Sequence, residues 1–313
     1  FEPENLSFNG RISCSTYHVD RLGTSDGLPN SAGIGGSGEG SERLMSGGQI
    51  VPRNALALFG VGGLGFDTFF WDGRVESGSG EIKSPFGNSL PDIDPLIVAV
   101  HLPVAEIRET LQEDQFVASN KKESVEAADR VYAAVVQKLR NEEPELMAQL
   151  ANAREVDVAE LQFIDIATSL ANFIRFKFRL QASSFSEFMA GRTSLTEAQL
   201  DGALIFFGKG KCSTCHRGPY FSDFKFHTIA MTQAGFGKNG FGVDYGRYNS
   251  TFDTNDLYKF RTPSLHNVSK TGPYGHSGSQ SDIASVIISH YDPLATFDSQ
   301  TASREERTEF TKK

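Results

Sequence analysis

Cys212-Ser213-Thr214-Cys215-His216 sets two thiols three positions apart, with an imidazole directly after the second. Each thiol can add to one vinyl group of a single porphyrin, and the histidine then lies under the ring and ligates its iron. A second, altered copy stands near the start: Cys14-Ser15-Thr16-Tyr17-His18. It keeps the first cysteine and the histidine, while Tyr17 takes the place of the second cysteine. The two segments read as c-type haem sites with different roles, Cys14, Tyr17 and His18 at one and Cys212, Cys215 and His216 at the other. A zinc half-site is the competing reading of the intact motif. Zinc needs four protein ligands, or three plus water. The chain has three cysteines and no H-x3-5-H pair nearby, which favours haem. Cys14 to His18 alone reads as an ordinary loop; the segments that follow it give it weight.

Those groups need elements to hold them. Residues 1 to about 95 carry few helical patterns and many breakers. Ser31 to Gly48 is dense in Gly and Ser, which suits a flexible linker or a loop wrapped over a porphyrin. A short helix is predicted around Val104-Ala105-Glu106-Ile107. From Ser124 to Leu150, Val125, Ala128, Val131, Tyr132, Val135 and Leu139 recur at three- and four-residue steps, a helical pattern. Asp157, with Glu160 three residues on, makes a capping-box pair that should open a long helix through Leu161, Ile164, Leu170, Phe173 and Ile174. Ser194-Leu195-Thr196-Glu197 opens another, running through Leu204 to Phe207 and ended by Gly208 and Gly210 just before Cys212. A last helix starts near Asp282, with Ile283, Val286, Ile287 and His290 on one face. The fold class expected is mainly α: two cytochrome-c-like haem domains with long loops and few strands. Residues 1–175 would hold the first haem and 176–313 the second.

Composition bounds the partners. In 313 residues, 30 basic and 39 acidic side chains leave a formal charge of −9, which argues against nucleic acid and allows a basic redox partner. All three cysteines belong to the two motifs, so no structural disulfide is expected. No apolar run approaches the ~18 residues needed to span a bilayer. No signal peptide is visible, and a start at Phe1 reads as a processed or partial chain. Thioether attachment of haem takes place outside the cytoplasm, so the periplasm is the expected location.

Several segments, in order, resemble the bacterial di-haem cytochrome c peroxidase family, including its MauG-type branch. They are Asp26-Gly27-Leu28-Pro29-Asn30-Ser31, Pro52-Arg53-Asn54, Phe69-Phe70-Trp71-Asp72-Gly73-Arg74, Lys259 to Asn267, and Pro273-Tyr274-Gly275-His276-Ser277-Gly278. The resemblance covers nearly the whole chain. It implies two facing haem c domains with a calcium ion between them, a catalytic N-terminal haem and an electron-relaying C-terminal haem. His18 would then be the proximal ligand of the first iron and His216 that of the second. Trp71 would lie on the electron path, although a core aromatic is the plainer role for it. Asn54 and the carbonyls of Thr271 and Pro273 match the calcium ligands, oxygen donors suited to a hard cation; Asn54 also suits a simple turn.

Departures from the family pattern bear on the reaction. Loss of the second cysteine leaves Tyr17 either packed on the porphyrin edge or crosslinked to it. The loop position of a displaceable distal histidine is Ile34, which cannot ligate iron, so the first haem would be open without reductive activation. The family's distal Gln and Glu stand ten and twenty residues after the tryptophan; here those counts reach Glu81 and Pro91, with Pro85 matching the proline between. A peroxidase needs an acid–base group to move a proton between the peroxide oxygens. Glu81, Asp92 or Asp94 could substitute, the last two being more simply surface carboxylates. The sixth ligand of the second haem falls at His290 by direct count, or at Tyr291 with a one-residue insertion.

The leading expectation is therefore a periplasmic di-haem oxidoreductase taking peroxide at the first haem. Its partner would be a small cytochrome or cupredoxin, or a protein substrate. A subunit of a multihaem complex, joined to other haem subunits and reducing a nitrogen oxide as the hydrazine-synthase resemblance suggests, is a second reading. A non-catalytic electron carrier is a third.

Overall fold

The computed structural model describes residues 6–7, 12–78, 80–87, 94–106, 108–110, 121–233 and 235–293. Helices carry most of the regular structure. Two short ones open the chain, α1 (Cys14–Tyr17) and α2 (Ser41–Met45). Then come α3 (Pro95–Val104), α4 (Lys121–Glu142), α5 (Pro144–Arg154) and α6 (Phe163–Lys177). The remainder holds α7 (Ser184–Met189), α8 (Glu197–Phe207), α9 (Tyr248–Thr251) and α10 (Ile283–Tyr291).

Strands are two or three residues long and serve to pin loops together. β1 (Ser31–Ala32) pairs antiparallel with β2 (Ile50–Val51), in register Ser31 to Val51. β3 (Thr68–Phe69), β4 (Val75–Ser77) and β5 (Ile82–Lys83) form one antiparallel sheet. β6 (Phe226–His227) pairs across the chain with β9 (Phe260–Arg261), while β7 (Phe236–Gly237) and β8 (Gly240–Phe241) make a hairpin.

The buried apolar core runs along α3, α4, α5 and α6 and gathers Phe66, Phe69 and Val75 from the first half and Tyr220 from the second. The 124–150 pattern is helical but divided. Glu143-Pro144 breaks it, because proline lacks the donor a continuing helix needs and restrains the residue before it; Pro144 instead starts α5. Asp157 does form a capping box with Glu160, yet it opens only the single 3-10 turn Val158–Glu160. The long helix α6 starts after a second box, Gln162 with Asp165. The extended backbone of Leu161, 2% exposed, separates the two. The short helix expected at 104–107 lies earlier. Asp94 caps α3 by accepting from Leu96 N at 2.9 Å, and Pro95 takes the first helical position. Both helices form where expected; the cap of α8 is Thr196, boxed with Gln199 and two residues after Ser194, and Asp282 caps α10 by accepting from Ser285 N at 2.9 Å.

The Ser31 to Gly48 segment is an ordered loop and not a linker. Arg43 is buried in it and donates to the carbonyls of Ala32 and Gly33 at 3.0 and 2.8 Å. Among the described residues, no helix is long and apolar enough to cross a membrane.

Candidate active site

α1 is one turn, closed by His18 N donating to Cys14 O at 2.9 Å. That turn aims Cys14, Tyr17 and His18 into one cavity holding about 1580 Å³ of unfilled space, mouth included. Its walls are mainly apolar, among them Leu58, Phe69, Leu96 and Ile174, with Trp71 and Asn54 on one side. Its charged lining is Arg53, Arg74, Glu106, Glu109 and Arg261. A large apolar slot with a thiol and an imidazole at its floor fits a porphyrin attached through Cys14.

His18 Nδ1 pairs with Thr24 O at 3.0 Å, so a metal at this ring would bind through Nε2. Burial holds the imidazole below its ordinary range, and a neutral ring is the form that ligates. His216 repeats the pattern. Its N donates to Cys212 O at 2.9 Å and its Nδ1 pairs with Phe221 O at 2.9 Å. Leu204, Phe207 and Ile287 present exposed apolar surface on α8, which directly precedes this motif, and on α10. Burial also lowers the His216 pKa, and the nearby His290 lowers it further. His290 Nδ1 pairs with Val286 O at 2.7 Å. Tyr291 turns its hydroxyl to Gly210 O, beside Cys212. Cys215, Asp223 and His227 bring ligand atoms within 4.8 Å of one another. A thioether sulfur is no longer a thiolate ligand, and Asp223 and His227 already pair at 3.0 Å.

Asn54 and Trp71 tie the two halves together. Trp71 Nε1 donates to Asn54 O at 2.9 Å, and Asn54 N donates to His276 O at 2.8 Å. The Asn54 amide reaches Pro273 O at 2.8 Å and Leu28 O at 3.1 Å. Thr271 packs beside Gly23, its hydroxyl on Val268 O at 3.5 Å. Arg53 lies buried between two carboxylates, 2.7 Å from Asp72 and 2.7 Å from Asp244. Burial pushes Asp72 upward, but Arg74 and Arg53 overcome it and hold the carboxyl well below the usual range.

The acid–base candidates read from the sequence lie elsewhere. Glu81 and Pro85 are exposed beside β5 and do not line the cavity. Asp94 is committed to capping α3 and pairs with Arg175 at 2.6 Å. Pro91 and Asp92 lie outside the described residues. The cavity carboxyls are Glu106 and Glu109, directly after α3. Glu106 is 3.4 Å from Arg74. Glu109 is pushed up to about 8, by burial first and then by the like charge of Glu106, against the pull of Arg74 and Lys238. Counting from Trp71 missed it because the count takes the connecting segment at constant length, and α3 lies between. The available signal was a pair of acidic residues closing an almost wholly apolar helix.

Three backbone contacts fix the acidic segment. Ile34 N donates to Arg108 O at 3.0 Å, with Gly33 so close that a Cβ there would collide with the same carbonyl. Thr110 Oγ1 donates to Val104 O at 2.8 Å, and Tyr17 Oη donates to Glu109 O at 3.1 Å. The Ile34 side chain is buried in this loop packing and does not line the cavity.

Residues 1–194 match the model of the family described as di-haem cytochrome c peroxidase. The chain is 28% identical over 294 residues to the methylamine utilization protein MauG of Methylorubrum extorquens, covering 93% of this chain and 65% of that protein. It is 27% identical over 281 residues to the cytochrome c551 peroxidase of Pseudomonas aeruginosa, covering 89% of this chain and again 65% of the relative. The chain thus spans a little under two thirds of the length of each. Its fold is similar to a MauG-like protein associated with microbial copper homeostasis (TM-score 0.66, 20% identity, 100% of this chain and 85% of that one). It is also similar to the diheme peroxidase BthA of Burkholderia thailandensis (TM-score 0.67, 16% identity, 98% and 75% covered).

Proposed function

Because the chain belongs to the di-haem cytochrome c peroxidase family, we propose that it is a di-haem oxidoreductase. A small oxidant such as hydrogen peroxide reacts in the Cys14–His18 cavity, with electrons relayed from a second haem at Cys212–His216. Family membership implies two haem c groups, and the donor sets fit them: Cys14 and His18 for one, Cys212, Cys215 and His216 for the other. The cavity carries the reading. Its floor offers one proximal imidazole, its wall Trp71, and its charged side an acid, Glu109. Among the described lining residues there is no second histidine and no methionine to close the opposite face.

Haem iron supplies the electron exchange with the oxidant. The Glu109 carboxylate would take a proton from one peroxide oxygen and return it to the other, so that this second oxygen leaves as water when the O–O bond breaks, the two electrons for that cleavage coming from the haem when it is bound. Burial, and then repulsion by Glu106, disfavour a negative charge on Glu109 and hold the group in the range where it can both accept and donate. Arg74, held by Asp72 at 3.1 Å and near Glu106, supplies fixed positive charge at the same side. Trp71, between the cavity and His276, is the aromatic bridge for the electron.

At the second haem, His290 serves as sixth ligand, since it stands at the directly counted position after His276 while Tyr291 turns its hydroxyl toward Gly210. Asn54, Thr271 and Pro273 bind Ca²⁺: turning the Asn54 amide over presents Oδ1 to the point where the Pro273 carbonyl already lies. Residues 1–175 and 176–313 form the two haem domains. The working location is the periplasm. A net charge of −9 favours a basic small cytochrome or cupredoxin as electron partner.

Electron paramagnetic resonance of the resting protein tests the reading. One high-spin and one low-spin ferric haem are expected, with peroxide consumed at the expense of a reduced small cytochrome. Two low-spin haems and no peroxide turnover would instead establish an electron carrier.

A further inference from the structure

We propose that Tyr17 is a positioning residue: in place of the second thioether cysteine, it holds the Glu109 segment against the turn that attaches the first haem. The proposal rests on the reading of Glu109 as the proton-carrying group. Tyr17 sits in α1 between Cys14 and His18, and its ring lines the cavity. Its hydroxyl spans 92 positions in sequence to donate to the Glu109 carbonyl at 3.1 Å. The other anchors of this segment act from elsewhere. Ile34 N holds the preceding carbonyl, that of Arg108, and Thr110 holds the end of α3. Of these contacts, the tyrosine is the one that links the acid to the haem-attachment turn.

The substitution has a physical logic. A cysteine at position 17 would end at Sγ, three ring carbons short of the phenol oxygen, and could not reach the Glu109 carbonyl from the same backbone. The phenolic hydroxyl is a donor and the Glu109 carbonyl its acceptor. Exchanging a thioether for this bond gives up one covalent tether. In return it fixes the distance between the proximal turn and the carboxyl that must reach the bound oxidant. A displacement of ~1 Å in a group of this kind can cost up to ~100-fold in rate.

Tyr17→Phe keeps the ring and removes the hydroxyl. Three readouts separate the possibilities: haem content and ferric resonance spectrum, cyanide binding to the ferric protein across pH, and the rate of reaction with peroxide across pH. Tyr17→Phe is expected to retain both haems and His18 ligation. It should slow the peroxide reaction roughly ten- to hundredfold and displace the pH dependence of both cyanide binding and rate. In a Glu109→Gln background the same change should add little, because the group it positions is gone. Wild-type cyanide and peroxide profiles in Tyr17→Phe, alongside altered profiles in Glu109→Gln, would overturn the positioning role and leave Glu109 standing. A Glu109→Gln protein with unaltered profiles would overturn the reading beneath it. Tyr17→Cys should show the pyridine haemochrome shift of a second thioether while keeping the kinetic defect; full peroxide reactivity in that variant also overturns the proposal.

Discussion

The indole of Trp71 meets the imidazole of His276 edge-on, with ring centroids 6.5 Å apart and planes at 74°. On its other side His276 stacks on Phe260, at 3.7 Å and 13°. Asn54 binds the pair through its own backbone, its carbonyl accepting from Trp71 Nε1 and its N–H donating to His276 O. Residues 205 positions apart thereby form one aromatic bridge, which the first cavity touches through Trp71.

Trp71→Phe should leave both haem spectra intact and slow electron transfer between the haems by roughly tenfold or more. Stopped-flow reduction of one haem followed by the spectrum of the other measures this directly. Burial holds His276 down at about 4. The bridge histidine is therefore neutral above that pH, and the transfer rate should be flat from pH 5 to 8.

Glu109→Gln should lower the rate of the peroxide reaction by ~10²–10⁴. In the native protein the carboxylate is the form that accepts the peroxide proton, so the rate should rise with pH through an inflection near 8. The variant should lose that inflection. Stability follows with the opposite sense. A carboxyl raised above its ordinary 4.5 binds its proton more tightly when folded, so its contribution is full below pH 4.5 and is lost as pH rises through about 8. Chemical denaturation at pH 5 and pH 9 should show this loss in the native protein and not in Glu109→Gln.

Arg53→Met should cost about 3–5 kcal/mol, because it leaves Asp72 and Asp244 buried without their shared cation. The loss should appear as a lower denaturant midpoint of the holoprotein. Arg53→Lys should recover only part of it, since an ammonium cannot reproduce the two-toothed contact with Asp244 at 2.7 and 2.9 Å.

His290→Met should raise the potential of the second haem and alter its low-spin resonance signal, while Tyr291→Phe leaves both unchanged. Redox titration followed at the second haem's band decides between the two residues. A signal altered only in the tyrosine variant would assign the sixth ligand to Tyr291.

The sequence was most legible where chemistry depends on near neighbours. The helices α8 and α10 and the Asp282 cap are local, and each is read within a few residues. The Phe69 to Arg74 segment was legible for the same reason. Reading failed where spacing along the chain was taken for distance in space. Glu81 and Pro85 match by count, yet they end up exposed, because the polypeptide between Trp71 and the acid contains the whole of α3. The 124–150 pattern was legible as helix, but one proline divided it.

By itself, then, the sequence determined which atoms could attach and ligate haem: Cys14 and His18, and Cys212, Cys215 and His216. It also determined the family, because those motifs are contiguous and their chemistry is fixed by residue type. Only the tertiary structure decided which carboxyls line the first cavity and what Tyr17 does with its hydroxyl. The hydrogen bond from Tyr17 to Glu109 spans 92 residues and the pairing of Arg53 with Asp244 spans 191. Contacts of that range arise from packing of whole elements, and no local pattern of residues encodes them.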